Sequence, residues 1–208
     1  MKKITLFKIS LTILLLIHIV GILIFLFYPS GVSLSYIILA ICGSAIFISE
    51  KNKSKSAIAY LSIFILGFII EYIGVKTNYL FGTYTYGNSL GYKLFGIPII
   101  IGVNWIAIVI SSVSVVKAFN LTSNKLITAF IAALLCTGMD YIIEPVAIKF
   151  NFWSWEGNII PFSNFVDWFG FSFVFAYIYI ALKLSINKIG VYLFLIWVGF
   201  FSLIKLMG

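Results

Sequence analysis

Seven stretches of this chain run for about 20 residues each with almost no charge, the length an α-helix needs to cross the hydrocarbon of a bilayer. They lie near 7–28, 31–49, 57–75, 96–116, 126–148, 164–184 and 189–206. In lipid every backbone N–H and C=O must find a partner within the protein, and for runs of this length the helix is the solution. The sequence therefore predicts an all-α fold: a polytopic integral membrane bundle of about seven transmembrane helices, a single transmembrane domain over 1–208, with no repeat or soluble domain. The first run follows Lys2, Lys3 and Lys8, lacks a small-residue cleavage site and reads as a retained anchor.

Charge sets the orientation and removes one class of function. The chain is 62% hydrophobic and 10% charged, with fourteen lysines, six acids and no arginine. A nucleic-acid reader would carry a basic face with arginine forks, so no nucleic-acid partner is expected. Lys2, Lys3, Lys8, Lys51, Lys53, Lys55, Lys117, Lys125, Lys183 and Lys188 fall on one side of the predicted spans, and Lys76, Lys93, Lys149 and Lys205 on the other. The positive-inside rule then places the N-terminus in the cytoplasm and the C-terminus outside. Cys42 and Cys136 stand alone inside apolar runs, in no metal or C-x-x-C spacing, and read as packing residues.

Five of the six acids, Glu71, Asp140, Glu144, Glu156 and Asp167, lie in or beside four apolar stretches of the middle and C-terminal half. An acid within the bilayer is costly and is by default a candidate for function. With the orientation above, Glu71 sits about 6 Å below the outer end of the third span at 1.5 Å per residue. Asp140 and Glu144, four apart, share one face of the fifth span, Glu144 nearer the outer boundary. Asp167 opens the sixth span and Glu156 lies in the loop before it. All five are expected at the outer leaflet or just above it.

The polar groups around them are mostly aromatic or amide. The loop after Glu71 carries Tyr79, Tyr84, Tyr86 and Tyr92 among Gly82, Gly87, Gly91 and Gly96, which reads either as an interfacial aromatic belt or as a folded loop over the acids. Asn104-Trp105 falls about two turns below the outer end of the fourth span, where the amide either joins helices or holds a carboxyl or a water. Two carboxyls four apart in a weakly solvated site do not both ionise cheaply, so one is expected to hold a proton. Such a pair could act as a general acid, line a proton or cation path, or be structural beside Lys76 or Lys149. His18, mid-span in the first helix, is expected to be a packing contact far from the acids. With one histidine and no arginine, neither a metal site nor diphosphate chemistry is expected.

Read in order, Glu71-Tyr-Ile-Gly-Val-Lys-Thr-Asn-Tyr-Leu-Phe-Gly-Thr-Tyr84, Leu94-Phe-Gly-Ile-Pro98, Asn104-Trp105, Asp140 with Glu144-Pro-Val-Ala147, Phe152-Trp-Ser-Trp155 and Pro161-Phe-Ser-Asn-Phe165 resemble the carotenoid biosynthesis membrane protein family over about 71–170. The chain departs from that pattern where Glu144-Pro145 replaces Asp-Pro and where Asp167 replaces glycine. The resemblance implies a carotenoid hydratase, adding water to the terminal double bond of an acyclic carotenoid end group in a bacterial or archaeal cell membrane. Its partners would be the lipophilic carotenoid, the bilayer and water. It implies Asp140, Glu144 and Glu71 as catalytic carboxyls, and Asn104, Trp105, Tyr84, Trp153, Trp155 and Asn164 as substrate-binding groups, with no cofactor and no metal. A carotenoid cyclase would share the protonation step and then close a ring. A transporter or a non-catalytic pigment-binding protein are the readings from other classes.

Overall fold

Asparagines punctuate the chain. The Asn52 side chain accepts from Lys55 N at 3.1 Å, and Asn124 accepts from Leu126 N and Ile127 N at 2.9 and 3.2 Å, so each opens a long helix by satisfying N–H groups that the first turn leaves unpaired. Asn78 closes the first of these helices in the left-handed conformation, at φ 57°. In the computed structural model, which describes residues 2–207 and side chains from Thr5 to Met207, seven helices follow: α1 (Lys2–Phe27), α2 (Ser35–Ser49), α3 (Lys53–Thr77), α4 (Ile101–Ala118), α5 (Lys125–Lys149), α6 (Phe162–Ala181) and α7 (Lys188–Met207). All seven are long and apolar enough to cross a membrane, α2 together with the 3-10 turn Pro29–Leu34 that precedes it. The side chains of Lys2 and Lys3 lie outside the described residues.

α4 is the innermost helix, buried along most of its length, with α3, α5 and α7 packed around it. α1 is an outer helix, and Leu6, Ile9, Ile13, Leu16, Ile19, Val20 and Leu23 all leave their side chains exposed. In water such a surface would be a liability; in lipid it is the expected outer coat. The fold is the predicted all-α membrane bundle, with two small two-stranded sheets in its loops.

Those sheets correct one boundary. The fourth span begins at Ile101 and not near 96, because Lys93–Leu94 (β2) pairs with Ile97–Pro98 (β3) in a hairpin whose turn holds Phe95 and Gly96 at positive φ. Asn104 is consequently in the first turn of α4 and not two turns deep. The other sheet pairs Tyr84–Tyr86 (β1) with Trp153–Trp155 (β4), joining the loop after α3 to the loop after α5.

The opposite end of the bundle holds a feature that the sequence concealed. Glu50 reads as part of a solvated lysine-rich loop, yet it is buried, and its Oε1 accepts from Tyr60 Oη at 3.2 Å, Tyr179 Oη at 2.8 Å and Asn187 Nδ2 at 2.8 Å. Asn187 also donates to Ile46 O and accepts from Ser49 Oγ and Gly190 N. One carboxyl thus ties the ends of α2, α3, α6 and α7.

Candidate functional site

Glu71, Asp140 and Glu144 are 3%, 2% and 1% exposed, and all three line one polar chamber beneath the β1–β4 ribbon. Each is held by a different set of neutral donors. Glu71, on α3, accepts Trp105 Nε1–H on Oε1 at 3.0 Å and the hydroxyls of Tyr84 and Tyr86 on Oε2 at 2.5 and 2.7 Å. Trp105 reaches it because Gly67, one turn before Glu71, has no side chain: a Cβ there would sit 2.7 Å from the indole. Glu144 accepts Trp153 and Trp155 Nε1–H on Oε2 at 3.0 and 2.9 Å. Asn164, in the first turn of α6, donates its amide to Asp140 Oδ2 at 2.8 Å and, at 3.4 Å, to Glu144 Oε1. Asp140 receives that single amide donor.

Strand periodicity explains the donors. Successive strand residues face opposite sides, so Tyr84 and Tyr86 share a face of β1, and Trp153 and Trp155 share a face of β4. The register Tyr84 to Trp155 and Tyr86 to Trp153 merges them into one face over the acids, while Thr85 and Ser154 meet on the exposed face at 3.1 Å. Burial, with the charge of Glu71 beside them, pushes both phenols well above the ordinary tyrosine range, so they remain O–H donors at neutral pH.

Two spaces meet at this cluster. The chamber, about 20 Å³, is bounded by the three carboxyls, Asn104, Asn164 and aromatic rings. A water needs roughly 10–15 Å³ measured this way, so the chamber admits one. The second space is an apolar cavity of about 90 Å³ lined by residues of α1, α2, α4, α5, α6 and α7. Asp140, Asn104, Trp153 and Trp168 border both. Asn104 makes no side-chain hydrogen bond among the described residues, which leaves its amide to whatever enters. Trp105 and Trp168 stack with centroids 4.0 Å apart and planes at 20°.

The structure gathers all nine candidate residues, with their parts differently arranged. Trp105, Tyr84, Trp153, Trp155 and Asn164, expected against substrate, each donate to a carboxyl; all but Trp105, which is fully buried behind Trp168, also line the chamber. Asp167 stands apart from the acids, accepting Phe81 N–H on Oδ2 at 2.6 Å, and Glu156 is exposed on the ribbon's flank. His18 corrects the expectation of distance: it is a packed contact, donating from Nδ1 to Leu14 O at 2.7 Å and accepting Trp197 Nε1–H at 3.1 Å, yet it lines the same apolar cavity as Asp140. Its place follows from counting, since His18 and Asp140 each stand nine residues before the ends of α1 and α5. Tyr86 and Trp168 went unselected; two-residue alternation from Tyr84 and helical spacing of four from Asn164 were the signals that mark them. Among the described residues, no group of three or more His, Cys, Asp and Glu side chains closes into a metal-holding set.

Fold and site together define a polytopic membrane protein with a buried triad of carboxyls capped by an aromatic ribbon and open to an apolar cavity. The chain belongs to the carotenoid biosynthesis protein family, whose description matches residues 31–204, well beyond the 71–170 segment that carries the motifs. It is similar to the bisanhydrobacterioruberin hydratase of Haloarcula japonica, with 26% identity over 120 residues, covering 55% of this chain and 41% of that protein. The chain therefore spans less than half the length of that curated relative. No solved structure matches it.

Proposed function

We propose that the protein hydrates the terminal double bond of an acyclic carotenoid end group. The observation that carries this reading is the position of Asp140, whose carboxyl borders both an apolar cavity suited to a hydrocarbon end and a polar chamber with room for one water. Both reactants can meet one acid from different sides. The similarity to a carotenoid hydratase supports the same chemistry.

In this mechanism Asp140 gives its proton to the =CH carbon of the end group. A C–H bond forms, the π bond breaks, and positive charge falls on the dimethyl carbon. The ring of Trp168, which borders both spaces and is backed by the stacked Trp105, and the carboxylate of Glu71, held by three donors, stabilise that tertiary cation. Water oriented by Asn104 forms the C–O bond and passes a proton to Glu144, one turn from Asp140. Return of that proton to Asp140 resets the pair, so each turnover consumes one water and no net proton. Oxidation state does not change, and no redox cofactor enters the scheme. A cyclase would share the first step, but a water-sized polar chamber beside the cation is what ring closure has to avoid.

The test is mass spectrometry of pigments from cells making an acyclic carotene, with and without this chain, grown in oxygen-18 water. The expected product is heavier than the carotene by one or two waters and carries the label. A ring-closed product of unchanged composition would assign the cyclase, and unchanged pigment would remove the proposal.

A further inference from the structure

The chamber that holds the three carboxyls has an aromatic wall supplied by Phe81, and nothing in the reaction scheme above explains why Phe81 sits where it does. Its backbone is in the left-handed region, at φ 64°, which a bulky residue adopts only when its surroundings impose it. Its side chain is 2% exposed and lines the chamber, whereas Tyr79, two residues earlier, is 87% exposed. The chain therefore passes from the surface to the chamber wall within two residues. Several contacts hold that passage, among them a long hydrogen bond of 3.4 Å from Ser163 Oγ to Phe81 O. The Asp167 carboxylate accepts Phe81 N–H at 2.6 Å. Gly74 of α3 lies against it, where a Cβ would be 3.0 Å from the Phe81 ring and 3.0 Å from the Tyr84 hydroxyl. Gly82, at φ 112°, packs on Pro161 with no space for a Cβ. Asp167 is the charged member of this set and belongs to the same turns of α6 as Asn164 and Trp168, which face the acids and the chamber.

We propose that Asp167 is a positioning residue that clasps Phe81 in place as the wall between bulk solvent and the one-water chamber, so that water alone reaches the cation. This rests on the hydration reading. Its content is a specificity: a nucleophile one methyl group larger than water should be excluded while Phe81 is held, and admitted once it is released. Asp167 touches neither reactant and acts through Phe81. The bond it makes requires an acceptor oxygen, not a charge, so asparagine can replace it and alanine cannot.

The experiment uses membranes containing the full chain, an acyclic carotene and added methanol as competing nucleophile, with tertiary alcohol and methyl ether separated by mass. Wild type and Asp167→Asn should give alcohol with little ether. Asp167→Ala should raise the ether-to-alcohol ratio at least tenfold, and Phe81→Ala, which leaves Asp167 untouched, should do the same. A loss of packing alone would lower both products together and leave the ratio unmoved. Wild-type ratios in Phe81→Ala and in Asp167→Ala overturn the clasp, as does Asp167→Asn leaking as much as Asp167→Ala. Should Asp167→Ala not accumulate in the membrane, Phe81→Ala decides by itself. A wild type that makes neither alcohol nor ether overturns the hydration reading and the clasp with it; alcohol from wild type with an unmoved ratio in the variants overturns the clasp alone.

Discussion

Asp140 accepts from one amide, whereas Glu71 and Glu144 each accept from three donors. An ionised carboxyl is an acceptor on both oxygens, while a carboxylic acid needs one oxygen clear to donate. By that criterion Glu71 is fitted to remain an anion and Asp140 to carry the proton that leaves. Asp140→Asn keeps a carbonyl for the Asn164 amide but removes the acidic proton, and a positioned general acid contributes about 10²–10⁴-fold. Alcohol formation in this variant should fall by at least about 10²-fold with protein still in the membrane. Glu144→Gln should also lose alcohol, yet deuterium from heavy water should still enter recovered carotene, because protonation by Asp140 remains reversible. Full activity in Asp140→Asn, or deuterium entry surviving there and vanishing in Glu144→Gln, would reverse the assignment. The spacing of Asp140 and Glu144 was legible in the sequence, and so was the neighbourhood of Asn104, Trp105, Tyr84, Trp153, Trp155 and Asn164. Which donor serves which acid was not, since those bonds join residues up to 34 positions apart and depend on how helices meet.

At the scale of elements, the ribbon of β1 and β4 turns three helices with acids into a closed site. Both strands are three residues long, too short to pair alone in water; α3 and α5 bring their loops together and the rings bury one face. The alternation Tyr-Thr-Tyr and Trp-Ser-Trp is visible in the sequence, but nothing local says that the two pair, because 69 positions separate Thr85 from Ser154. The hairpin β2–β3 was hidden for another reason: Leu94-Phe-Gly-Ile-Pro98 is apolar enough to be absorbed into the span that follows it. Gly87 closes the ribbon. Its N–H donates to Phe152 O at 2.9 Å, and a Cβ on it would collide with the backbone oxygen of Asn151. Gly87→Ala should therefore unseat β1 from β4, withdraw Tyr86 from Glu71 and cut hydration at least tenfold, while circular dichroism of the purified protein keeps its helical content. Near-normal turnover would mean that the ribbon bends to fit the methyl group and does not set the geometry of the acids.

Across the whole molecule the two polar ends differ in kind. One end has three carboxyls around a cavity. The other has one carboxyl filled by helix-end donors, in the region whose lysines the charge rule assigns to the cytoplasm. Seven spans and their order were legible because hydrocarbon leaves so few solutions for the backbone; burial of Glu50 was not, because Glu50-Lys-Asn-Lys-Ser-Lys-Ser56 has the composition of a solvated loop. What the sequence could not convey is that Tyr60, Tyr179 and Asn187 arrive from three other segments to meet it. Each buried donor stripped of its acceptor costs about 1–3 kcal/mol. Glu50→Ala strips Tyr60 and one amide hydrogen of Asn187 and leaves Tyr179 only Ser185 O at 3.3 Å, so it should destabilise the fold by about 2–6 kcal/mol, read as a marked fall in the thermal midpoint of the detergent-purified protein. Glu50→Gln keeps one acceptor oxygen at the place of Oε1 and should lose much less. Because this knot lies at the end of the bundle away from the acids, Glu50→Gln should also keep its hydration rate within a few-fold of wild type. A rate collapse in Glu50→Gln with an unchanged midpoint would show that the two ends are coupled, and that the knot is more than a tie between helices.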